Sequence, residues 1–216
     1  MTDRSMAESL RGGPVAQAIR EHRLIVILRR VEPQSELLAL VDELADAGAR
    51  VFEVTFDADS AADDLASLKG RLDGRDDGQF VVGAGTLLTA EKLRAARKAG
   101  ADFGVSPLLD LDLVHAAIDD GFPFVPGGMT PTEIGAAWSA GATFVKLFPA
   151  SAVGPQMIRE LRGPRPDIEL IPTGGVDADN ARDFIEAGAT AVGIGSAIVR
   201  ADPAGRRLLV MELAQS

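Results

Sequence analysis

One of the chain's four lysines stands in unusual company. Lys146 lies inside Phe144-Val145-Lys146-Leu147-Phe148-Pro149, an apolar run closed by proline. Lys69, Lys92 and Lys98 sit instead among polar and charged neighbours on segments that read as helix surfaces. A lysine in an apolar strand reaches water, pairs with a carboxylate, or works as a neutral amine. Burial disfavours the ammonium form, lowers the pKa and makes the amine a nucleophile near neutral pH. The plainer alternative is a strand-end lysine that snorkels to solvent. A partner is available in Val51-Phe52-Glu53-Val54-Thr55, where Glu53 is also flanked by apolar residues. Alternation along a strand puts Val51, Glu53 and Thr55 on one face, and Phe144, Lys146 and Phe148 on one face of theirs. If both faces point into one interior, a carboxylate meets an amine in apolar surroundings. That is either a buried ion pair, which is weak evidence for stability, or an active-site pair.

Three glycine-bearing segments follow other apolar runs. They are Gly83-Ala84-Gly85-Thr86, Pro172-Thr173-Gly174-Gly175-Val176 and Gly193-Ile194-Gly195-Ser196. Glycine lets the backbone approach a ligand closely, although a tight turn also favours it. The last two segments end adjacent predicted strands, where backbone N–H groups and a following helix start would suit a phosphate.

The elements that position these residues follow from a repeated signature. Ala47-Gly48-Ala49, Ala99-Gly100-Ala101, Ala140-Gly141-Ala142 and Ala187-Gly188-Ala189 each close a helical pattern and precede an apolar run, and Asp120-Gly121-Phe122 plays the same part. The glycine suits a left-handed position just past a helix end. Units of about 20 residues, each one strand and one helix, predict parallel pairing with right-handed crossovers. A leading helix is expected near Pro14 to Glu21. Strands are expected at 24–28, 51–55, 80–83, 103–106, 124–126, around Lys146, 169–172 and 191–194. Ser35, Thr89 and Asp110 are candidate helix caps, and Thr130-Pro131-Thr132-Glu133 is a capping box with proline at the first helical position. Eight such units in one chain of this length predict an α/β fold, a (β/α)8 TIM barrel with a short N-terminal helix; an open doubly wound sheet is the alternative. Residues 1–216 read as a single domain, with residues 1–12 as a flexible leader.

Composition narrows the function. Charged residues make up 25% and hydrophobic residues 46%, as in a globular protein. No apolar run approaches the ~20 residues that span a bilayer, and the N-terminus has no apolar signal core, so a cytoplasmic location and no membrane partner are expected. Cysteine is absent, which removes disulfides, thiolate metal sites and a cysteine nucleophile. The two histidines, His22 and His115, are isolated, so no metal site is expected. A net charge of −10 argues against nucleic-acid binding and requires a local positive site for any anionic substrate. The single Trp138 lies on a predicted helix and reads as core or interface packing.

Taken in order, these segments resemble the class I KDPG/KHG aldolase family, the aldolases for 2-keto-3-deoxy-6-phosphogluconate and 4-hydroxy-2-oxoglutarate. The resemblance runs from Ile25-Val26-Ile27-Leu28-Arg29 to Gly195-Ser196. Between them it rests on Glu53-Val54-Thr55, Gly83-Ala84-Gly85-Thr86, Ser106-Pro107, Val125-Pro126-Gly127, Val145-Lys146-Leu147-Phe148-Pro149-Ala150 and Pro172-Thr173-Gly174-Gly175. It implies a homotrimer of (β/α)8 barrels with no cofactor beyond a covalent Schiff base on Lys146. It implies that Lys146 attacks the ketone of a keto-acid phosphate and that Glu53 shuttles protons. Thr86 would then donate to the substrate carboxylate, Pro107 and Phe148 would wall the pocket, and Gly174, Gly175, Gly195 and Ser196 would hold a distal phosphate.

One position departs from the family. Where the gluconate aldolases usually carry a carboxylate-gripping arginine, two residues after Thr55, this chain has Asp57. Three readings are open: Arg29 supplies the charge, the substrate differs, or the usual activity is weak. The related 2-keto-3-deoxy-6-phosphogalactonate aldolases often lack that arginine and carry one after strand one, and Ser151-Ala152-Val153-Gly154-Pro155-Gln156 also resembles that branch. The expected activity is cleavage of a 2-keto-3-deoxy-6-phospho sugar acid to pyruvate and glyceraldehyde 3-phosphate. The alternatives are the galactonate-type or unphosphorylated substrate, an oxo-acid lyase, or a non-catalytic barrel that binds phospho-ligands.

Overall fold

A computed structural model of the chain describes residues 4–76 and 78–214. Two helices lead, α1 (Arg4–Gly12) and α2 (Pro14–His22), followed by β1 (Leu24–Leu28) and α3 (Gln34–Asp46). Next come β2 (Val51–Thr55), α4 (Ala61–Asp73), β3 (Val81–Gly85), α5 (Ala90–Lys98), β4 (Phe103–Val105) and α6 (Leu111–Asp119). The middle of the chain holds β5 (Phe124–Val125), β6 (Gly127–Gly128), α7 (Pro131–Ser139) and β7 (Val145–Leu147). A 3-10 turn at Ala150–Ala152 leads to α8 (Gly154–Arg162) and β8 (Leu170–Pro172). The chain then runs through α9 (Ala181–Glu186), β9 (Val192–Ile194), α10 (Ser196–Arg200) and α11 (Pro203–Ala214).

All described pairings are parallel. They form a six-stranded arc, β5-β4-β3-β2-β1-β9, and a three-stranded arc, β6-β7-β8. Only Pro126 separates β5 from β6, and a parallel bridge between Thr173 and Gly193 joins the far ends of the arcs. The expected fifth strand, 124–126, thus ends at Val125, and a further short strand not expected from the sequence follows Pro126. Proline has no N–H to give the ladder, although its carbonyl accepts from the Lys146 N–H at 2.9 Å, and β6 then pairs with β7.

Two apolar layers flank the strands. The inner cluster takes Ile25 and Ile27 from β1, Val51 from β2, Val81 from β3, Phe103 and Val105 from β4, Val125 from β5, Phe144 beside β7 and Ile171 from β8. Ala16 and Ile19 of α2 belong to the same cluster. A larger outer cluster lies between the strands and the helices. Because strand side chains alternate, residues 51 and 144 mark the inward face, and Glu53 and Lys146 fall on it.

Helix starts follow local chemistry. Thr89 and Asp110 accept hydrogen bonds from the first turns of α5 and α6, and the Thr130/Glu133 capping box is complete. Ser35 does not cap α3. Pro33 holds that position with no side-chain cap, and the helix starts one residue earlier. A larger correction concerns the expected leader. Residues 4–12 are helix α1, with Ala7 buried and the Arg11 guanidinium stacked on the Trp138 ring. Its apolar stripe, Met6, Ala7 and Leu10, spans little more than one turn and is easily lost among polar and charged neighbours. It docks through buried Ala7, through Met6 and Leu10 packed against the outer core, and through hydrogen bonds from Arg11 to the Trp138 and Ala142 carbonyls. Residues 1–3 of that expected leader lie outside the described residues. No helix among the described residues is long and apolar enough to cross a membrane.

Candidate active site

Lys146 sits on β7 in register with Gly127 of β6 and Ile171 of β8, and Glu53 sits on β2 in register with Ile27 and Gly83. Their exposures are 6% and 2%, so neither charge is solvated as on a surface. Among the described residues no ion pair within 4.0 Å joins them. Burial pushes the Lys146 amine well below its ordinary 10.5; the Glu53 charge opposes the shift and Arg29 adds to it. Burial likewise pushes the Glu53 carboxyl above its ordinary 4.5, against the pull of Lys146 and Arg29. In both groups desolvation outweighs attraction, and each moves toward its neutral form. The Glu53 carboxylate lies directly over Gly85, where any Cβ would overlap Oε1.

Lys146 opens onto a cavity of about 550 Å³, lined by Ile27, Arg29, Phe148, Thr173, Gly174, Gly175, Gly195, Ser196 and Arg200, among others. The Phe148 ring centroid is 5.3 Å from Lys146 Nζ. The guanidinium groups of Arg29 and Arg200 stand against the Asp177 carboxylate in this cavity. A molecule of net charge −10 thus carries a locally positive pocket, as an anionic ligand requires. The strands that end here deliver the two glycine segments to one wall, with Gly193 packed so tightly on Thr173 that a Cβ would strike Oγ1. Gly174 and Gly175 have φ of +87° and +78°, a left-handed conformation that favours glycine.

Arg29 reaches across the mouth. Its Nη2 donates to Thr86 Oγ1 at 3.3 Å and its Nη1 to Asp57 Oδ2 at 3.2 Å. Thr86, Arg29 and Asp57 therefore meet, which the sequence left open. Pro107 lies after β4 with its carbonyl against Gly127, outside the lining of this cavity, as are Glu53 and Thr86. The ten expected residues thus divide: seven line the cavity with Lys146 among them, Glu53 lies against Gly85, Thr86 is tied in through Arg29, and Pro107 stands apart. Thr173 and Arg200 were missed. Thr173 lay within a motif read for its glycines, and Arg200 had no local pattern to mark it. Among the described residues no group of three or more His, Cys, Asp or Glu side chains could hold a metal ion.

The family model for KDPG and KHG aldolases matches residues 15–206. The chain belongs to the KDPG and KHG aldolase family. Family members are lyases that cleave a carbon–carbon bond. A 2-dehydro-3-deoxy-phosphogluconate aldolase of Haemophilus influenzae is 37% identical over 172 residues, covering 79% of this chain and 78% of that one. A 2-dehydro-3-deoxy-6-phosphogalactonate aldolase of Escherichia coli is 35% identical over 179 residues, covering 82% and 85%. The crystal structure of a KDPG aldolase from Legionella pneumophila, with pyruvate captured as a covalent carbinolamine, superposes with a TM-score of 0.80 at 26% identity, over 94% of this aldolase and 97% of that chain.

Proposed function

We propose that this aldolase cleaves a 2-keto-3-deoxy-6-phospho sugar acid to pyruvate and glyceraldehyde 3-phosphate through a Schiff base on Lys146. The observation that carries the reading is the buried amine of Lys146 opening onto a positive cavity, with Glu53 buried on the same inward face. The neutral amine attacks the C2 ketone to give a carbinolamine. Glu53, as a neutral acid, donates a proton to the departing hydroxyl, and water leaves as the iminium forms. The C3–C4 electron pair then moves into the iminium, giving an enamine. The Glu53 carboxylate takes the C4 hydroxyl proton, through water if the gap requires it, and the aldehyde departs. Protonation of the enamine at C3 and hydrolysis return the free amine and pyruvate. The protonated imine is the electron sink, so the reaction needs no metal.

Arg29 and Thr86 bind the carboxylate, Phe148 and Pro107 wall the pyruvyl end, and Gly174, Gly175, Gly195 and Ser196 hold the phosphate. A galactonate-type substrate is the second reading, favoured by Arg29 reaching Thr86 in a chain that has Asp57 for the usual arginine. The two arcs work as one closed (β/α)8 barrel, supported by the Thr173–Gly193 bridge and the shared inner cluster. Three barrels form the enzyme. Exposed Leu88, Leu108 and Leu111 around one open groove suit such an interface.

Borohydride reduction in the presence of pyruvate, with peptide mapping, tests the central claim. A reduced pyruvyl adduct is expected on Lys146, and Lys146→Ala is expected to lose cleavage of both phosphorylated sugar acids while keeping its far-UV spectrum. Full activity in that variant would sink the mechanism.

A further inference from the structure

Asp57 is the residue that the aldolase reading leaves unexplained. A carboxylate at the mouth of a carboxylate-binding site should repel its ligand. Its surroundings point elsewhere. Asp57 Oδ2 accepts from Arg29 Nη1 at 3.2 Å and stands 3.4 Å from Arg30 Nε, while Oδ1 accepts from Thr55 Oγ1 at 2.7 Å. Arg30 Nη2 also donates to the Asp57 backbone carbonyl at 2.9 Å, so Arg30 grips the residue at two points. The Asp57 side chain is 17% exposed, against 57% for Arg29 and 63% for Arg30. Two cations share one anion, so the group keeps one net positive charge. Arg29, held by one nitrogen, turns the other to Thr86 Oγ1 at 3.3 Å.

We infer that Asp57 is a positioning residue, which clamps the Arg29 guanidinium beside Thr86 and so builds the carboxylate site in place of the missing arginine. A long exposed arginine loses rotamer freedom when it binds an anion; one already held by a carboxylate has lost most of it beforehand. The fixed fork of the guanidinium allows both contacts at once, which an ammonium could not offer in the same geometry. Asp57 touches no substrate atom in this arrangement and acts through Arg29. The inference rests on the reading of Arg29 and Thr86 as the carboxylate site.

The test is the pyruvate concentration that half-saturates borohydride trapping on Lys146, with calorimetric binding of pyruvate measured on the same proteins. Asp57→Asn is expected to raise both values by roughly three- to tenfold, the scale of coupling between directly contacting charged groups, while the trapping rate at saturation changes little. Arg29→Lys is expected to behave alike, since it keeps the charge and loses the fork. In an Arg29→Ala background, Asp57→Asn should add nothing. Tighter pyruvate binding by Asp57→Asn would show that Asp57 repels the ligand and would overturn the inference, and so would a full additive effect in the Arg29→Ala background. A parent protein that binds pyruvate by calorimetry but forms no adduct would fail the Schiff-base reading alone. A parent that does not bind pyruvate at all would overturn both.

Discussion

Lys146 and Glu53 each stand where their charged form is poorly solvated, and this has a consequence for stability with a definite sign. The folded pKa of Lys146 lies below 10.5. Between that lowered value and 10.5 the unfolded chain holds a proton that the folded chain lacks, so stability rises with pH through this window. The folded pKa of Glu53 lies above 4.5. Between 4.5 and that raised value the folded chain holds the extra proton, so stability falls as pH rises there. At neutral pH both groups weaken the fold. Replacing both by methionine, as Lys146→Met/Glu53→Met, is expected to stabilise the protein by about 1–4 kcal/mol in urea unfolding at pH 7, as when buried ionic pairs give way to apolar residues. A double variant less stable than the parent would show the pair to be structural. Lys146 was legible in the sequence because an amine inside an apolar strand has few explanations. Glu53 was legible for the same reason. The role of Asp57 stayed open in the sequence, since its partners Arg29, Arg30 and Thr55 come from two different strand ends and only folding brings them together. Arg200 was illegible because an exposed arginine on a five-residue helix looks like any other surface charge.

At the scale of elements, β3 shows how a strand can shape a site without offering a side chain. Gly85 leaves the space that the Glu53 carboxylate occupies. Gly85→Ala is expected to displace that carboxylate and lower kcat by about tenfold to a hundredfold, since small misplacements of a catalytic group cost on that order. Pyruvate trapping should still label Lys146, but more slowly, because Glu53 also assists the loss of water that forms the iminium. Unchanged kcat would mean that Glu53 has no fixed working position. Thr130→Ala offers a contrast. It breaks the capping box of α7 and is expected to cost about 1 kcal/mol of stability with kcat and KM unchanged. The caps at Thr89, Asp110 and Thr130 could be read from sequence because each signal is complete within four residues. The break at Pro126 could not be placed so well. Proline forbids one hydrogen bond, but whether a strand ends or resumes beyond it depends on neighbours distant in sequence, here Lys146 and Leu147 opposite Gly127 and Gly128.

At the scale of the whole molecule, the least legible part is the first helix. Strands and helices of the repeating unit announce themselves by period, but α1 stands outside that repeat and adds to the short stripe of Met6, Ala7 and Leu10 the contacts of one arginine. Arg11 Nε donates to the Ala142 carbonyl at 2.9 Å and Nη2 to the Trp138 carbonyl at 2.7 Å. The guanidinium carbon lies 3.5 Å from the Trp138 ring centroid. Burial lowers the Arg11 pKa, the mark of a cation held partly out of water. Ala7 fits beside Gly141, whose φ of +102° turns the chain from α7 toward β7. Thus α1 covers the turn that leads into the lysine strand, far along the chain. The contact can be followed optically, because Trp138 is the chain's only tryptophan. Arg11→Ala removes two charge-assisted hydrogen bonds and a cation–π contact and is expected to cost about 2–4 kcal/mol. The emission of Trp138, 9% exposed in the parent, should shift to longer wavelength as water reaches the ring. KM should not move, since the cavity and its cations are elsewhere. Emission and stability both equal to the parent would mean that α1 is held by other contacts and that Arg11 only rests on the surface. A large rise in KM would mean instead that α1 supports the lysine strand itself.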